Sequence, residues 1–271
     1  MPEGHTIHRL AARHRQLFAG RVVAVSSPQG RFAVGAAALS GARLRDTEAY
    51  GKHLLHHYDG DHTVHVHLGL YGRFTDGELP VPAPVGQLRM RLVSDRDWLD
   101  LRGPAACEVL IPAQVAALRA RLGADPLRPD ADPGPAFARI AASGRPLAGL
   151  LLDQSVVAGV GLIYATEVLF RAGLAPTTPG RTVSPPRWLE IWHDLRALMA
   201  EGVARGRIDT VHTAHTPEAM RRAPREDRHG GEVYVYRRAG QPCLICGSPV
   251  QRGQIAGRNA YWCAVCQPLC H

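Results

Sequence analysis

Four cysteines near the C-terminal end place the strongest constraint on how this 271-residue chain can fold. Two residues separate Cys243 from Cys246, two separate Cys263 from Cys266, and sixteen lie between the pairs. This repeated spacing predicts one structural zinc ion held by four thiolates. Two disulfides are the alternative, and they fit poorly because no secretory signal begins the chain and intracellular compartments keep thiols reduced.

The two remaining cysteines carry less information. Cys107 is expected to be a small buried apolar side chain. Cys270 and His271 are rival zinc ligands by residue type, but residues at a frayed terminus make poor ligands. We therefore expect the zinc ion on the four spaced cysteines.

Changes in hydrophobic periodicity divide the chain. Apolar residues recur at helical spacing over residues 4–18, whereas residues 22–110 hold short β-rich runs separated by Gly, Asp and Pro. The Pro- and Gly-rich stretch that follows continues neither periodicity, so it predicts a linker. The expected fold is a multidomain α+β chain, with an N-terminal helix and β-sandwich over residues 1–122, a linker over 123–135, a helical domain over 136–230 and a zinc module over 231–271.

The expected helical domain contains two recognisable helices. Ser184 is a suitable N-cap with Pro185 at the first helical position, and apolar residues follow at three- and four-residue steps as far as Met199. An earlier apolar helix is expected over residues 163–170, directly after the glycine-containing turn at 158–161. Such a turn can present free backbone N–H groups to a phosphate, although simple helix packing explains it equally well.

The charge balance favours a polyanionic partner. The chain has 32 Lys and Arg residues against 24 Asp and Glu, a formal charge of +8 and a pI near 9.6. Nucleic acid is therefore the leading candidate. Because no run of eighteen apolar residues and no secretory signal is evident, we expect a soluble intracellular protein with no membrane span.

The first residues offer a nucleophile. A methionine before proline is commonly removed, which would leave Pro2 with a free secondary amine. An α-amino group with a pKa of roughly 7.7 to 8.0 is partly uncharged at neutral pH, unlike a lysine near about 10.4. Its attack on an aldehyde-level carbon forms an iminium that drives elimination, and the neighbouring Glu3 can move protons at the sugar. By itself, a Pro-Glu start means only that methionine removal is permitted.

Lys52 is the only lysine in the chain. Arginine serves almost every ordinary surface role of lysine in this protein, so a retained lysine indicates a functional position. Chance survival on a strand surface is the alternative.

Several motifs follow one another in a distinctive order along the chain. They are Met1-Pro2-Glu3-Gly4, Gly51-Lys52-His53-Leu54-Leu55, His67-Leu68-Gly69-Leu70-Tyr71-Gly72, Leu122-Gly123-Ala124-Asp125-Pro126-Leu127, Leu151-Leu152-Asp153-Gln154, Ala158-Gly159-Val160-Gly161, and Gly257-Arg258 before the last cysteine pair. This order resembles that of the bacterial formamidopyrimidine-DNA glycosylase and endonuclease VIII family over essentially the whole chain. The initial Pro-Glu-Gly and the Leu70-Tyr71-Gly72 segment are closer to the endonuclease VIII branch, which favours oxidised pyrimidines.

The resemblance implies a bifunctional DNA glycosylase and AP lyase of base excision repair that acts on damaged double-stranded DNA. Pro2 would displace the damaged base at C1′ of the sugar and hold the sugar as a Schiff base. Strand cleavage by β- and then δ-elimination would follow. Glu3 would donate the proton that opens the sugar ring, and Lys52 would lie near the lesion phosphate as a compact charge.

The resemblance also implies how the DNA is held. Arg258 on the zinc-finger β-hairpin would bind a backbone phosphate, and the amides of Gly159 and Gly161 in a helix-two-turns-helix would bind another. Leu70 and Tyr71 would fill the space that the flipped nucleotide leaves. Burial of these two side chains at a strand end is the alternative.

Two departures from the family pattern bear on activity. His5-Thr6 stands where the family usually has Pro-Glu, so a second N-terminal carboxylate is missing. Leu162 follows Gly161 where asparagine is common, and leucine cannot donate a hydrogen bond to phosphate. We expect a weakened phosphate clamp at this turn rather than none.

Three alternatives remain open at this point. In the first, the enzyme prefers formamidopyrimidine or 8-oxoguanine as its substrate. In the second, the chain is a noncatalytic zinc-finger protein that binds damaged DNA. In the third, a second metal binds the histidine-rich strands, although no matching set of carboxylates is visible. The histidines are His53, His56, His57, His62, His65 and His67.

The expected state is a monomer in the bacterial cytoplasm, associated with the nucleoid.

Overall fold

The computed structural model describes residues 2–226 and 231–268, so the terminal Cys270 and His271 lie outside the described residues. The chain divides into two compact units, Met1–Arg121 and Leu122–His271. Both combine helices with strands, which confirms the predicted α+β fold class. None of the described helices is long and apolar enough to cross a membrane.

The first unit begins with helix α1, Gly4–Phe18. Ile7, Ala11 and His14 recur at three- and four-residue steps and are buried, whereas Arg13 on another face is exposed. This burial pattern is that of an amphipathic helix with one face toward a core. The helix predicted over residues 4–18 is confirmed.

Nine strands among the described residues form two antiparallel sheets in this unit. One sheet has the order β1-β3-β4-β5-β9, and the other has the order β2-β7-β8-β6. Apolar side chains of both sheets meet in one hydrophobic core, which makes the unit a β-sandwich. The elements are β1 (Arg21–Val22), β2 (Ala24–Ser26), α2 (Ala33–Leu39), β3 (Arg43–Tyr50), β4 (His53–Tyr58), β5 (Thr63–His67), β6 (Arg73–Glu78), β7 (Leu88–Val93), β8 (Asp97–Arg102), β9 (Ala106–Leu110) and α3 (Pro112–Ala120).

Helix α1 packs against strands β3 and β4. Thr47 on β3 donates its hydroxyl to the carbonyl of Ala11 at 2.5 Å, which fixes the helix on the sheet. The N-terminal residues and the turn between β3 and β4 therefore belong to one packed body. On another part of β4, Leu55 packs with Val115 and Leu118 of α3.

A pair of histidines lies in the interior of this unit. His14 of α1 and His56 of β4 are fully buried, and a hydrogen bond of 3.0 Å joins His14 Nδ1 to His56 Nε2. Phe74 packs edge-on against the His14 ring, with centroids 4.6 Å apart. Burial lowers the pKa of His14 to about 3 and holds the pKa of His56 well below its usual value. Both imidazoles are therefore neutral at physiological pH.

The second unit is helical, with one β-hairpin. Trp188 and Trp192 of its longest helix share a hydrophobic core with Tyr261 of the hairpin, so the zinc module is not packed separately. The two helices predicted from Ser184 and over residues 163–170 are confirmed. The elements are α4 (Gly134–Ala141), α5 (Leu147–Leu152), α6 (Leu162–Arg171), α7 (Pro185–Arg205), α8 (Pro217–Met220), β10 (Gln251–Ile255) and β11 (Arg258–Trp262).

Residues 123–135, predicted as a linker, belong to this second unit. The amide of Gly123 donates to the carbonyl of Gln154 at 2.9 Å, and the carbonyl of Ala124 accepts from the amide of Ala158 at 3.0 Å. The proline and glycine content excludes long regular elements but not backbone hydrogen bonds to distant residues. The division between the units falls before this segment, at Arg121 and Leu122.

Candidate functional site

The N-terminal residues lie at the first turn of α1. Pro2 is half-buried, and Glu3 precedes the helix in an extended conformation with 3% of its surface exposed. The carbonyl of Glu3 accepts a hydrogen bond of 3.0 Å from the amide of Thr6. Pro2, whose nitrogen becomes a secondary amine if Met1 is removed, and the buried carboxyl group of Glu3 are thus neighbours at the start of a helix that is packed on a sheet.

His5 occupies the position at which the family pattern has a proline. Its side chain is buried, and its Nε2 lies 3.2 Å from the hydroxyl of Thr6. Burial, assisted by the charge of Arg9, lowers the pKa of His5 to about 4. At neutral pH the His5-Thr6 pair therefore contributes no charge, and Glu3 is the acidic side chain of residues 2–6.

Lys52 lies in the two-residue turn between β3 and β4. Tyr50 and His53 pair on either side of the turn, and Gly51 adopts a positive φ of 58° that the tight turn requires. Lys52 is only 8% exposed, and its carbonyl accepts a hydrogen bond of 3.1 Å from Nδ1 of His67. The one lysine of the chain is therefore largely buried, in a turn whose backbone is held by His67.

A second turn of this unit carries two exposed apolar side chains. Leu70 is 61% exposed and Tyr71 is 84% exposed, so the alternative that they are buried at a strand end is wrong. Gly72 allows the turn to close, because a Cβ at this position would lie 2.3 Å from the carbonyl oxygen of Leu68. The backbone is compact while both side chains face solvent.

In the second unit, the glycine-containing turn precedes α6. Gly159 has a φ of 89°, and its amide donates to Oε1 of Gln154 at 3.0 Å. Nε2 of Gln154 in turn donates to the carbonyl of Val160 at 2.9 Å. The amide of Gly159 is therefore used within the turn, which differs from the expectation that it faces a phosphate. Gly161 is the N-cap residue of α6, and Leu162 packs against the core.

The four spaced cysteines converge as predicted. Their Sγ atoms all lie within 4.8 Å of one another, and Sγ of Cys246 and Cys263 are 3.4 Å apart. That separation is too long for a disulfide, whose sulfur atoms are about 2.05 Å apart. Four convergent thiols match the donor set of a tetrahedral structural zinc ion. Among the described residues, these cysteines alone form a group that can hold a metal.

Gln267 ties the zinc module to the helices, a role that the sequence did not suggest. It is 2% exposed, its Oε1 accepts from the amide of Cys263 at 3.0 Å, and its Nε2 donates to the carbonyl of Leu174 at 2.7 Å. The β-hairpin then turns at Gly257, where φ is 72°, and places Arg258 in an exposed position at the start of β11.

A buried carboxylate holds the segment of chain that leads into the zinc module, residues 234–236. Glu167 of α6 is fully buried, and its two oxygens accept the amides of Tyr234, Val235 and Tyr236 at 2.7 to 2.9 Å. The hydroxyl of Thr210 adds a fourth hydrogen bond of 2.6 Å. Four donors satisfy the carboxylate and fix this segment on α6.

Family descriptions match the chain in three places. The N-terminal domain of formamidopyrimidine-DNA glycosylase matches residues 1–106, and the H2TH domain of the same protein matches residues 122–213. A zinc finger found in FPG and IleRS matches residues 240–269.

Curated relatives match over nearly the full length. Endonuclease 8 1 of Mycobacterium tuberculosis (strain ATCC 25618 / H37Rv) is 50% identical, with 98% of this chain and 100% of the relative covered. DNA-(apurinic or apyrimidinic site) lyase Nei2 of Mycolicibacterium smegmatis is 35% identical, with coverage of 98% and 99%.

Solved structures share the fold. The crystal structure of the MutM (Fpg) protein from Thermus thermophilus has a TM-score of 0.75 and 32% identity, with 98% of each chain covered. Lactococcus lactis Fpg in complex with DNA containing an abasic site has a TM-score of 0.80 and 20% identity, covering 98% of this chain and 100% of that one.

Proposed function

The chain belongs to the formamidopyrimidine-DNA glycosylase and endonuclease VIII family, and we propose that Pro2 is the nucleophile with which it acts on damaged DNA. It is a DNA glycosylase and AP lyase of base excision repair, and its partner is damaged DNA. The observation that carries the assignment of the nucleophile is the position of Pro2 beside the buried Glu3 at the start of α1.

The chemistry begins at the amine of Pro2. Once Met1 is removed, the lone pair of this amine attacks C1′ of the sugar and the bond to the damaged base breaks. The base leaves with the bonding electrons and takes up a proton from water. The proton that the Pro2 nitrogen loses passes to Glu3, which donates it to the ring oxygen, so the ring opens and an iminium forms between Pro2 and C1′. Loss of a proton from C2′ then expels the 3′ phosphate in β-elimination, and δ-elimination releases the 5′ phosphate.

Lys52 is proposed to assist beside the lesion phosphate. It is largely buried in a turn whose carbonyl is held by His67. A lysine ammonium is a compact charge, which an arginine cannot replace in shape. The fixed turn keeps this charge in place without a rearrangement on binding.

Four residues are proposed to hold the DNA. Arg258 on the hairpin binds a backbone phosphate, and Gly161 offers the amide end of α6 to another. Leu70 and Tyr71 enter the duplex where the nucleotide is flipped out, since they are already exposed on a compact turn. Gly159 is not assigned as a phosphate donor, because its amide is bonded to Gln154.

The chain takes one structural zinc ion, held by Cys243, Cys246, Cys263 and Cys266. Four thiolates complete a tetrahedral coordination shell, so no position is open for water or substrate. The ion stabilises the hairpin that carries Arg258 and takes no part in the chemistry.

We propose oxidised pyrimidines as the preferred substrates. Support comes from the 50% identity to a protein named Endonuclease 8 1 and from the exposed Leu70-Tyr71 pair. Formamidopyrimidine or 8-oxoguanine is the second candidate, because a solved structure at 32% identity is named MutM (Fpg). The proposed enzyme is a monomer that works in the bacterial cytoplasm, at the nucleoid, where its DNA substrate lies.

Borohydride trapping tests the proposed nucleophile and substrate together. Wild-type protein is incubated with duplexes that carry an abasic site, an oxidised pyrimidine or 8-oxoguanine, and covalent complexes are resolved by electrophoresis. We expect trapping on the abasic and pyrimidine duplexes, with peptide mapping of the trapped complex placing the DNA on the nitrogen of residue 2, and no trapping when an N-terminal extension keeps that nitrogen in a peptide bond. Trapped DNA on any other residue, or trapping that persists in the extended protein, would overturn Pro2 as the nucleophile, and stronger trapping on 8-oxoguanine would favour the second substrate class.

A further inference from the structure

Three histidines and a glutamate lie side by side on one face of the five-stranded sheet. His53 of β4 pairs directly with His67 of β5, and His65 of β5 pairs directly with Glu108 of β9. His65 and His67 are two residues apart on β5, and His53 lies directly opposite His67 on β4. The three side chains therefore lie on the same face of the sheet. This face begins at the turn that holds Lys52.

Hydrogen bonds connect these side chains into a line across three strands. Nδ1 of His53 lies 2.8 Å from Nε2 of His65, and Nδ1 of His65 lies 2.9 Å from Oε1 of Glu108. The rings of His53 and His67 are tilted by 30° with centroids 5.1 Å apart. His65 is 4% exposed, whereas the side chain of Glu108 is 56% exposed. The line runs from solvent at Glu108 to the neighbourhood of Lys52.

The donors and acceptors of this line are set from its carboxylate end. A carboxylate only accepts hydrogen bonds, so Nδ1 of His65 carries the proton and Nε2 of His65 is an acceptor. Nδ1 of His53 must then be the donor, which leaves Nε2 of His53 without a proton. His67 connects this line to the lysine turn, because its ring lies beside that of His53 and its Nδ1 donates to the carbonyl of Lys52.

The surroundings disfavour protonation of His53 and His65. Burial is the main cause that lowers the pKa of His53 to about 3, and the nearby His65, His67, Arg121 and Lys52 act in the same direction. Burial also lowers the pKa of His65, opposed by Glu108 and assisted by His67 and Arg121. A neutral ring beside an ammonium avoids the repulsion that an imidazolium would cause.

We propose that Glu108, acting through His65, fixes the tautomer and orientation of His53, whose ring packs beside His67, and that these residues are positioning residues for the turn that carries Lys52 in the lyase step. In the Ser-His-Asp triad, a carboxylate selects the tautomer of the histidine that it contacts. Here the carboxylate of Glu108 selects the tautomer of His65, and His65 in turn selects that of His53. The inference rests on the proposed function of Lys52. It assigns a role to the histidine-rich strands that requires no metal.

Glu108→Gln is the decisive variant. Glutamine at this exposed position can either donate to or accept from His65, so both tautomers of the line become accessible while the side-chain size is kept. Glu108→Asp retains a carboxylate and serves as the conservative rescue. His57→Gln is the matched control, because His57 lies on the same strand and bonds to its own carboxylate, Glu48.

Three readouts are measured on the full-length, zinc-loaded protein. They are the single-turnover rate of strand cleavage at an abasic site between pH 5 and 8, the affinity for the same duplex, and the ¹⁵N NMR shifts that report imidazole tautomers. For Glu108→Gln we expect cleavage to slow about 10-fold, less than the ~10²–10⁴ of a direct general acid or base. DNA affinity should stay within about twofold, and any acid limb due to His65 should move to lower pH, because the charge that raised its pKa is gone.

The outcomes separate this inference from the function on which it rests. An Nε2-protonated His53 in the wild type, or an unchanged cleavage rate in Glu108→Gln at every pH, would overturn it. Equal slowing in His57→Gln would also overturn it, because the effect would then belong to the sheet as a whole. If the wild type forms no Schiff base at all, the proposed function fails, whereas the tautomer measurement still reports on the line itself.

Discussion

The two units differ in the most notable polar groups that they bury. The first unit keeps neutral histidines in its interior, as the fully buried pair of His14 and His56 shows. The second unit buries the carboxylate of Glu167, which four hydrogen-bond donors surround, and gathers four cysteine thiols for zinc. The first unit should therefore be sensitive to acid, and the second should depend on its metal and on one carboxylate.

Removal of zinc should have the largest effect, and it should be confined to the second unit. Structural zinc contributes about 10–16 kcal/mol of apparent binding free energy in small zinc-finger peptides at neutral pH. We expect a chelator or Cys263→Ser to lower the unfolding temperature of the second unit by at least about 10 °C. Differential scanning calorimetry with zinc analysis measures this, and Cys107→Ser in the first unit is the control. Equal destabilisation by both cysteine variants would contradict the division between the units.

Acidification should have the next largest effect, and it should fall on the first unit. The pKa values of His5, His14 and His53 are lowered to about 4, 3 and 3, whereas an unfolded histidine titrates near 6.5. The unfolded state binds more protons below pH 6.5, so stability is fully present above that pH and falls as the pH drops toward 3 to 4. Each neutral histidine should contribute a slope of about 1.4 kcal/mol per pH unit in this window.

Urea unfolding between pH 7 and 4.5, followed separately in each unit, measures this slope. His14→Gln should reduce the slope in the first unit, although the neutral amide will also change stability at pH 7. If the slope of unfolding free energy against pH is the same in both units, or is unchanged by His14→Gln, the first unit is not the acid-sensitive one.

Glu167→Gln tests the carboxylate of the second unit. The amide nitrogen of glutamine cannot accept, so whichever way the amide is turned it would leave at least one of the backbone N–H donors of residues 234–236 unsatisfied. We expect a loss of about 2–4 kcal/mol in the unfolding free energy of the second unit, measured by urea denaturation at pH 7. Glu190→Gln is the control, because Glu190 is exposed on α7 and pairs with Arg187. A cost as small as that of the control would show that Glu167 is not an anchor.

Leu162→Asn should produce the smallest change, and it should be a gain. Asparagine after Gly161 adds a hydrogen-bond donor at the start of α6, which is worth about 0.5–1.5 kcal/mol, or about two- to tenfold in DNA affinity. Fluorescence anisotropy with an abasic duplex measures the dissociation constant. Leu162→Ala removes the same core packing without adding a donor, so equal affinities in the two variants would show that the turn does not need the donor.

What the sequence could predict depended on how local each feature is. The zinc site followed from two short cysteine spacings, and α7 from a capping serine, a proline and a 3.6-residue periodicity. Both patterns lie within a few turns of chain. The family motifs added the order of the domains. Hydrophobic periodicity alone gives only approximate boundaries between them.

The features that the sequence did not predict join distant residues. Glu167 meets Tyr234, Val235 and Tyr236 across more than sixty residues of chain, and His14 meets His56 across 42. Nothing in the local sequence around either partner marks the other. Exposure of Leu70 and Tyr71 was also undecided, because apolar residues at a strand end suit a core as well as a surface.

The exposed turn of Leu70 and Tyr71 has a consequence for the energetics of base flipping. Water already surrounds most of these two side chains in the free enzyme, at an unfavourable free energy of hydration. Complete burial of one large apolar side chain yields about 1.5–3 kcal/mol, which is comparable with the few kcal/mol that unstacking a nucleotide costs. In the proposed complex, burial of this exposed apolar surface thus offsets much of the free-energy cost of unstacking a nucleotide from the DNA duplex. The weaker stacking or pairing of a damaged nucleotide is then enough to make flipping favourable.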